Sequence, residues 1–209
     1  MATIKGLHAS LIIEKLQKAL KKNGHAFFDN NKSYNVNIIG CRSNQTKANE
    51  FDDCLFLIYR DDNKDWVVHS YQITTDIGIR YLKSPINEDG AAILVPGQYR
   101  GVYRVAKHRG KYDALCQKNG KVKVWRDDDR DKILDMDDST IQEGFYGINI
   151  HRAAATGEME YVNGYSAGCQ VFKAARDFNE FMALIKLSAK KYDNKFTYTL
   201  IIEDDFKWN

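Results

Sequence analysis

Two short stretches of the chain, Gly147-Ile-Asn-Ile-His151 and Tyr165-Ser-Ala-Gly-Cys169-Gln-Val-Phe172, carry the strongest indications of its fold and its chemistry. The first is apolar and predicts a strand that ends on a histidine. The second places small residues before a cysteine, so that the backbone can turn tightly and Gly168 can admit a close approach to main-chain N–H groups. Eighteen positions separate His151 from Cys169, enough for a loop to return and place them side by side. The two residues are therefore a candidate base and nucleophile.

Amphipathic patterns predict helices near both ends of the chain. From residue 7 to residue 22 the apolar side chains recur at three- and four-residue steps with lysines between them, which predicts a helix that stops at Asn23-Gly24. The same spacing returns between Phe178 and Leu187. We therefore expect one helix before the sheet and another close to the C-terminus.

Strand patterns fill most of the remaining chain. Residues 54–59 and 66–75 are rich in aromatic and β-branched side chains and flank a polar loop, so they predict a hairpin. Turn residues such as Arg109-Gly110 and Asn119-Gly120 separate later runs of the same kind. These runs predict strands at residues 91–95, 99–105, 113–117, 122–126, 146–151 and 196–202.

Length and composition limit the classes of protein that fit. A chain of 209 residues fits a single domain, 1–209, in which an N-terminal helical region, 1–35, precedes the core, 36–209. The element pattern predicts a β-rich α+β fold. The 31 Lys and Arg residues are scattered among 28 Asp and Glu residues, so no nucleic-acid partner is predicted. No apolar stretch is long enough for a membrane helix, so no membrane insertion is expected either.

The cysteines indicate a reducing compartment. Cys41, Cys54, Cys116 and Cys169 lie far apart and show no C-x-x-C spacing, which argues against a zinc site and a compact disulfide framework. The first three lie in or beside apolar strands and are predicted to be small core residues. The N-terminal residues do not have the pattern of a secretory signal, so the protein is expected to be cytoplasmic as synthesised.

The segment around Cys169 resembles the catalytic signature of the L,D-transpeptidase domain family, in which a His-containing strand is followed, after a loop, by a Ser-His-Gly-Cys-x-Arg turn. Ser166, Gly168 and Cys169 match that turn, and the spacing from His151 matches as well. The resemblance covers roughly residues 50 to 175. The chain is also similar to a group of proteins found in bacteriophages and in bacteria that carry phage genes. The resemblance implies an L,D-transpeptidase-like fold with helices near the N- and C-termini.

The resemblance also implies a mechanism that acts on peptidoglycan stem peptides. His151 takes the proton of Cys169, and the thiolate attacks a peptide carbonyl to form a thioester. Backbone N–H groups at Gly168 and Cys169 stabilise the oxyanion, each worth on the order of 3 kcal/mol, while Ser166 braces the turn. An amine or water then resolves the thioester, so that transpeptidation and hydrolysis both remain open.

Two positions depart from the family turn. Ala167 stands where the family has a histidine, and Val171 stands where it has an arginine that helps to hold the turn and the substrate's carboxylate side of the pocket. We assign Arg152 and Tyr165 to substrate binding, with Arg152 as a compensating cation. The alternative for Arg152 is an exposed side chain beside a strand end.

An acidic loop is the one candidate metal site. Carboxylates stand at loop positions 1, 3, 5, 9 and 12, close to a calcium-loop pattern: Asp127, Asp129, Asp131, Asp135 and Asp138. Lys132 occupies the position where a glycine is expected, and Arg130 and Lys132 both oppose cation binding. A solvated acidic loop is therefore favoured over calcium, and no other cofactor is predicted.

The remaining histidines show no metal-site spacing. His108 could reach the active site if its loop folds over it, but an exposed basic loop is the favoured prediction.

Three classes of function remain open. The first is a peptidoglycan-directed cysteine transpeptidase or peptidase, compatible with a phage endolysin or a virion-borne factor that opens the cell wall during infection. The second is a non-catalytic wall-binding or virion structural protein that keeps the fold. The third is a cytoplasmic cysteine hydrolase that acts on other amides. No oligomeric state is predicted.

Overall fold

The structure is a computed structural model and describes residues 2–4 and 7–206. Its helices are α1 (Leu7–Lys22), α2 (Ile79–Lys83) and α3 (Ala175–Lys191). Its strands are β1 (Ala2–Ile4), β2 (Asn37–Arg42), β3 (Asp53–Arg60), β4 (Trp66–Thr74), β5 (Ala91–Leu94), β6 (Gly97–His108), β7 (Tyr112–Gln117), β8 (Val122–Asp127), β9 (Gln142–Gly144), β10 (Ile150–Arg152), β11 (Gln170–Phe172) and β12 (Phe196–Ile202).

Eight of these strands form a mixed sheet that closes on itself into a barrel. The order around it is β4, β11, β10, β7, β6, β12, β2 and β3, and β3 pairs again with β4. The pairs β10–β11 and β12–β2 are parallel, whereas the other neighbours are antiparallel. A second, small sheet has the order β5, β8, β9. The described residues therefore form a β-rich mixed fold, as the sequence predicts.

Alternate side chains of the strands belong to two different apolar clusters. On β3, Leu55 and Leu57 belong to the large cluster shared by the strands of the closed sheet, whereas Phe56 and Ile58 belong to a second cluster. This second cluster is completed by one face of α1: Ala9, Ile12, Ile13, Leu16, Ala19 and Leu20. Because successive strand side chains point to opposite faces and both faces are covered, β3 reads as a continuous apolar run.

Both predicted helices are confirmed. At the end of α1, Gly24 has a φ of +69° and the His25 N–H donates to the Leu20 carbonyl at 2.8 Å, as at many helix C-termini. Helix α3 packs Phe178 and Phe181 against Phe172 of β11, which explains its apolar spacing. Within residues 2–4 and 7–206, no helix has the length and apolar composition required to cross a membrane.

The predicted hairpin and the final strand are confirmed as β3–β4 and β12, but the predicted strand at residues 146–151 was wrong in extent. The strand there, β10, begins only at Ile150. Gly147 has a φ of +69°, which interrupts an extended backbone. The Oε1 atom of Gln117 accepts hydrogen bonds from the N–H groups of Tyr146, at 3.2 Å, and Ile148, at 3.1 Å. A side chain thus takes the place of a ladder partner. Sequence patterns indicated an apolar strand beside Cys41, where β2 lies, but they did not indicate the short strands β1, β9 and β11.

A buried arginine ties the end of β2 to two other segments. Arg42 is 2 % exposed. Its Nε donates to Thr75 Oγ1 at 2.8 Å and its Nη2 donates to the Thr75 carbonyl at 3.1 Å, just beyond β4. Its Nη1 donates to the Leu94 carbonyl of β5 at 2.9 Å. The guanidinium therefore fastens the closed sheet to the small sheet.

Two buried carboxylates accompany this guanidinium. Asp76 Oδ1 lies 3.1 Å from Arg42 Nε. Asp53 accepts backbone N–H groups from Ser43 at 2.7 Å and from Thr75 at 2.6 Å. Burial, and then the charge of Asp76, raises the pKa of Asp53 to about 7, while burial raises the pKa of Asp76. Arg42 is the main stabiliser of a charge on Asp76, whereas the Ser43 N–H stabilises a charge on Asp53 more than Arg42 does.

We expect Arg42→Met to lower the free energy of unfolding by about 3–5 kcal/mol, because the substitution leaves buried carboxyl groups without their cation. Urea denaturation followed by circular dichroism measures the change. Arg104→Met, which removes an exposed arginine from β6, should stay within about 0.5 kcal/mol of the parent protein. Equal, small losses in the two variants would contradict a structural role for the buried network.

Candidate functional site

The turn before β11 can be built only with glycine at position 168. Gly168 has a φ of +113°, and a Cβ atom placed there would lie 2.1 Å from the Ala92 carbonyl oxygen of β5. The cysteine turn therefore packs directly against the backbone of the small sheet. The thiol of Cys169 donates to the Gly147 carbonyl at 3.4 Å.

Ser166 holds this turn together. Its Oγ lies 2.7 Å from the Asp76 carbonyl oxygen and 2.8 Å from the Cys169 carbonyl oxygen, either of which can accept its proton. The same Oγ accepts the Gly168 N–H at 3.2 Å. Ser166 is fully buried. These contacts hold the turn in place, and they connect it to the Arg42 network through Asp76.

Cys169 lines a cavity of about 360 Å³ between the closed sheet and the small sheet. His108 and Asn149 line its closed-sheet side, and Arg126 lines its small-sheet side. At the rim lie the exposed apolar side chains Ile86 and Phe145. The cavity thus combines a thiol, an imidazole, a guanidinium and apolar contacts in one space.

His151 lies on the same sheet face as Cys169. It pairs with Val171 in the parallel ladder of β10 and β11, and the Gln170 N–H donates to the Asn149 carbonyl at 2.9 Å, which continues the ladder toward Cys169. Asn149 and His151 both contact His108, and Cys169 and Val171 belong to one apolar cluster, so these four residues share one face. His151 is 5 % exposed and is not among the residues that line the cavity.

The hydrogen bonds of His151 define its tautomer. Its Nδ1 lies 2.8 Å from the Arg152 carbonyl oxygen, which can only accept, so Nδ1 carries the proton. The neutral ring then presents an unprotonated Nε2. Within the described part of the chain, Nε2 takes part in no hydrogen bond. This is the state that a general base requires.

His108 was predicted to lie in an exposed basic loop, and that prediction was wrong. Strand β6 runs to His108, which is 7 % exposed and stacks on His151 with ring centroids 4.2 Å apart and planes 25° apart. The Asn149 amide accepts the Gln117 N–H through Oδ1 at 2.9 Å, so its Nδ2 donates to His108 Nδ1 at 3.2 Å. The Arg109-Gly110 turn signal marked the end of this hairpin, but nothing local indicated that its last residue would cover β10.

The site is uncharged at its thiol and its imidazoles near neutral pH. Burial, and then the neighbouring His108, lowers the pKa of His151 to about 3. Burial, followed by the charge of Arg109, lowers the pKa of His108. Burial also raises the pKa of Cys169 to about 11. The thiol and both imidazoles are therefore neutral, so a nucleophilic role for Cys169 would require proton transfer to a base.

Arg152 and Tyr165, the predicted substrate-binding residues, lie outside the lining of the cavity. The Arg152 guanidinium lies 4.4 Å from the ring centroid of Tyr112. The Tyr165 hydroxyl contacts Met159 Sδ at 3.5 Å. The structure thus places the turn of Ser166, Gly168 and Cys169 beside the strand that carries His151. Arg152 and Tyr165 do not line the cavity.

Two other arginines, Arg109 and Arg126, line the cavity, and neither was predicted from the sequence. Arg126 of β8 is 7 % exposed and donates through Nε to Gln142 Oε1 at 2.9 Å and through Nη1 to the Gly90 carbonyl at 3.2 Å. Arg109 lies at the end of the His108 hairpin and lowers the pKa of Cys169, though less than burial raises it. Val171, by contrast, is buried against Phe51 and Val162.

The other cysteines do not line this cavity. Cys41 and Cys116 are buried, and the half-buried Cys54 has its Sγ 3.1 Å from Ser70 Oγ. Burial raises the pKa of each of these thiols, that of Cys41 to about 12. Cys169 is the only cysteine among the residues that line the cavity.

The acidic loop brings together three of its five predicted ligands. One carboxylate oxygen each of Asp127, Asp129 and Asp135 lies within 4.8 Å of the others. Asp131 instead caps the Ile133 N–H at 2.5 Å, and Asp138 accepts the indole N–H of Trp125 at 3.0 Å. Burial, with the charges of the neighbouring aspartates, raises the pKa of Asp127 to about 6.

Comparison of the chain with known protein families, with curated proteins and with solved structures finds no match. Its chemistry is therefore inferred from its own residues.

We expect Gly168→Ala to lower the free energy of unfolding by at least about 2 kcal/mol, because the new Cβ meets the Ala92 carbonyl oxygen and the left-handed backbone is strained. Gly157→Ala is the matched control, since Gly157 also has a positive φ but open space around its Cα. It should cost only about 1 kcal/mol. Equal thermal-denaturation shifts in the two variants would contradict the close contact of the turn with β5.

The rate of Cys169 alkylation should rise roughly tenfold per pH unit between about pH 6 and 9 without a plateau, since a pKa of about 11 leaves the thiol protonated throughout. Limited iodoacetamide labelling of the folded protein, read by peptide mass spectrometry, gives this rate for each cysteine. Buried Cys41 and Cys116 should react more slowly than Cys169. A plateau near neutral pH would indicate a preformed thiolate–imidazolium pair instead.

Proposed function

We propose that the chain is a cysteine-dependent acyl-transfer enzyme in which Cys169 is the nucleophile and His151 the general base. The observation that carries this proposal is the 2.8 Å hydrogen bond from His151 Nδ1 to the Arg152 carbonyl. It leaves Nε2 as a proton acceptor on the sheet face shared with a cysteine that lines a cavity. The proposal includes an L,D-transpeptidase-like fold for the core.

The proposed reaction has two halves. The Cys169 proton passes to His151 Nε2 as the Sγ–C bond forms, and the tetrahedral intermediate then expels its amine, which takes the proton back from His151. A thioester remains. Water or a second amine, deprotonated by His151, attacks that thioester and restores the thiol. Since burial and His108 disfavour the imidazolium, His151 would hold the proton only while the Sγ–C bond forms and would then return it.

One backbone donor is available for the oxyanion. The Gly168 N–H is already bonded to Ser166 Oγ at 3.2 Å, so it is a poorer candidate than the sequence indicates. The Cys169 N–H makes no backbone hydrogen bond within the described residues and lies beside the nucleophile. A single such donor contributes on the order of 3 kcal/mol to transition-state stabilisation.

The substrate proposed for this site is a peptidoglycan stem peptide. The charge of the cavity supports an anionic substrate, because Arg109 and Arg126 both line it. Stem peptides carry free carboxylates, which guanidinium groups bind well. Acting on the cell wall, the protein would serve as a phage lysis factor or as a virion component.

A non-catalytic wall-binding protein is the second candidate. It is favoured by the uncharged thiol, whose pKa burial raises to about 11, and by Val171, which is packed in an apolar cluster where the family turn carries an arginine. Such a protein would bind wall fragments in the same cavity without releasing products.

Incubation with purified muropeptides, followed by mass spectrometry, distinguishes these functions. The parent protein should release a terminal amino acid or form a cross-linked dimer, whereas Cys169→Ala should show background levels only. His151→Asn should lower the rate by about 10²–10⁴-fold, the usual contribution of a general base.

Cys54→Ala is the matched control, since it removes a half-buried thiol that does not line the cavity, and it should keep the parent activity. If the parent and Cys169→Ala proteins bound muropeptides equally and neither turned them over, the enzyme proposal would be overturned in favour of the wall-binding protein.

A further inference from the structure

We infer that the loop between Asp127 and Asp138 binds one calcium ion through the carboxylates of Asp127, Asp129 and Asp135. This site is separate from the cavity that contains Cys169 and does not depend on the proposed enzyme activity.

The spacing of the three carboxylates suits a single cation. One oxygen from each lies within 4.8 Å of the others. Calcium–oxygen distances are about 2.3–2.6 Å, so two ligands on opposite sides of one ion are about 5 Å apart. A calcium ion can therefore bridge these oxygens with little movement of the loop.

Asp127 supplies an independent indication of a missing partner. It is 1 % exposed. Its Oδ2 accepts the Asp135 N–H at 2.9 Å, but its Oδ1 is buried and has no hydrogen-bond partner among the described residues. Buried carboxylate oxygens are normally satisfied by donors or by a metal ion, because desolvation of an unpartnered charge is costly.

The basic side chains of the region do not neutralise this cluster. Arg126, next to Asp127, is directed toward Gln142 and the Gly90 carbonyl. Arg130 and Lys132 are exposed, and no salt bridge within the described residues joins either of them to the three aspartates. Arg130 and Lys132, which opposed calcium binding in the sequence analysis, thus do not compensate the negative charge of the three aspartates.

The backbone of the loop is held in place before any ion binds. Asp127 pairs with Ala91 at the end of β8. On the other side, the Leu134 N–H donates to the Thr46 carbonyl at 3.0 Å, and the Ala48 N–H donates to the Lys132 carbonyl at 3.4 Å. Three carboxylate oxygens within 4.8 Å of one another suit the longer bonds and variable coordination of calcium better than the short bonds and strict octahedron of magnesium.

Calcium titration of the full-length, metal-stripped protein tests this site. Isothermal titration calorimetry with CaCl₂ should give one ion per chain, and the midpoint of thermal unfolding should rise with CaCl₂ concentration. Asp129→Asn and Asp135→Asn should each weaken the affinity at least about tenfold. Both residues are exposed, so these variants should fold.

Asp128→Asn is the matched control, because it removes the same charge from an exposed residue of the same loop that lies outside the cluster. Its affinity should stay within about twofold of the parent value. Cys169→Ala should bind calcium normally, which separates this result from the fate of the proposed enzyme. Absence of binding at millimolar CaCl₂, or an equal loss in Asp128→Asn and Asp129→Asn, would overturn the proposal.

Discussion

The rest of the structure depends on the hydrogen bonds and the ion pair of the Arg42 guanidinium. Buried at the end of β2, it donates to the Thr75 segment after β4 and to the Leu94 carbonyl of β5, and it pairs with Asp76. The Asp76 carbonyl in turn lies 2.7 Å from Ser166 Oγ, which braces the cysteine turn. Because an unpaired charge in the protein interior is costly, these segments are held in one arrangement. The turn that carries Cys169 is thus connected to the buried Arg42 through Asp76 and Ser166.

The fold contains two clusters of aspartates, and these differ in whether a cation accompanies the buried carboxylates. Asp53 and Asp76 share a buried arginine and several backbone donors. Asp127, equally buried, lies near two other carboxylates and has no cation within the described residues. The first cluster is therefore complete as a structural network, and the second has the electrostatic character of a ligand site. Both adjoin the small sheet, which forms one wall of the cavity.

The histidine pair determines what kind of chemistry the cavity can support. Burial keeps both rings neutral, and His108, which stacks on His151, further disfavours a charge on His151. A hydrogen bond to the Arg152 carbonyl then assigns the proton of His151 to Nδ1. The ring is left with an acceptor nitrogen, and the nearby thiol remains protonated. In the proposed reaction, such a site would transfer a proton in step with bond formation rather than hold a preformed thiolate.

Local sequence by itself determined the two long helices, the β3–β4 hairpin, the last strand and the small-residue turn around Cys169, because each rests on spacing or turn chemistry within a few residues. Only the tertiary structure decided that the sheet closes, that Gln117 replaces a strand partner at residues 146–148, and that His108 and Arg126 line the same cavity as the cysteine. Apolar periodicity reports which face of an element is buried. It does not report which distant element supplies the hydrogen bonds and charges on that face, and here those long-range partners define the site.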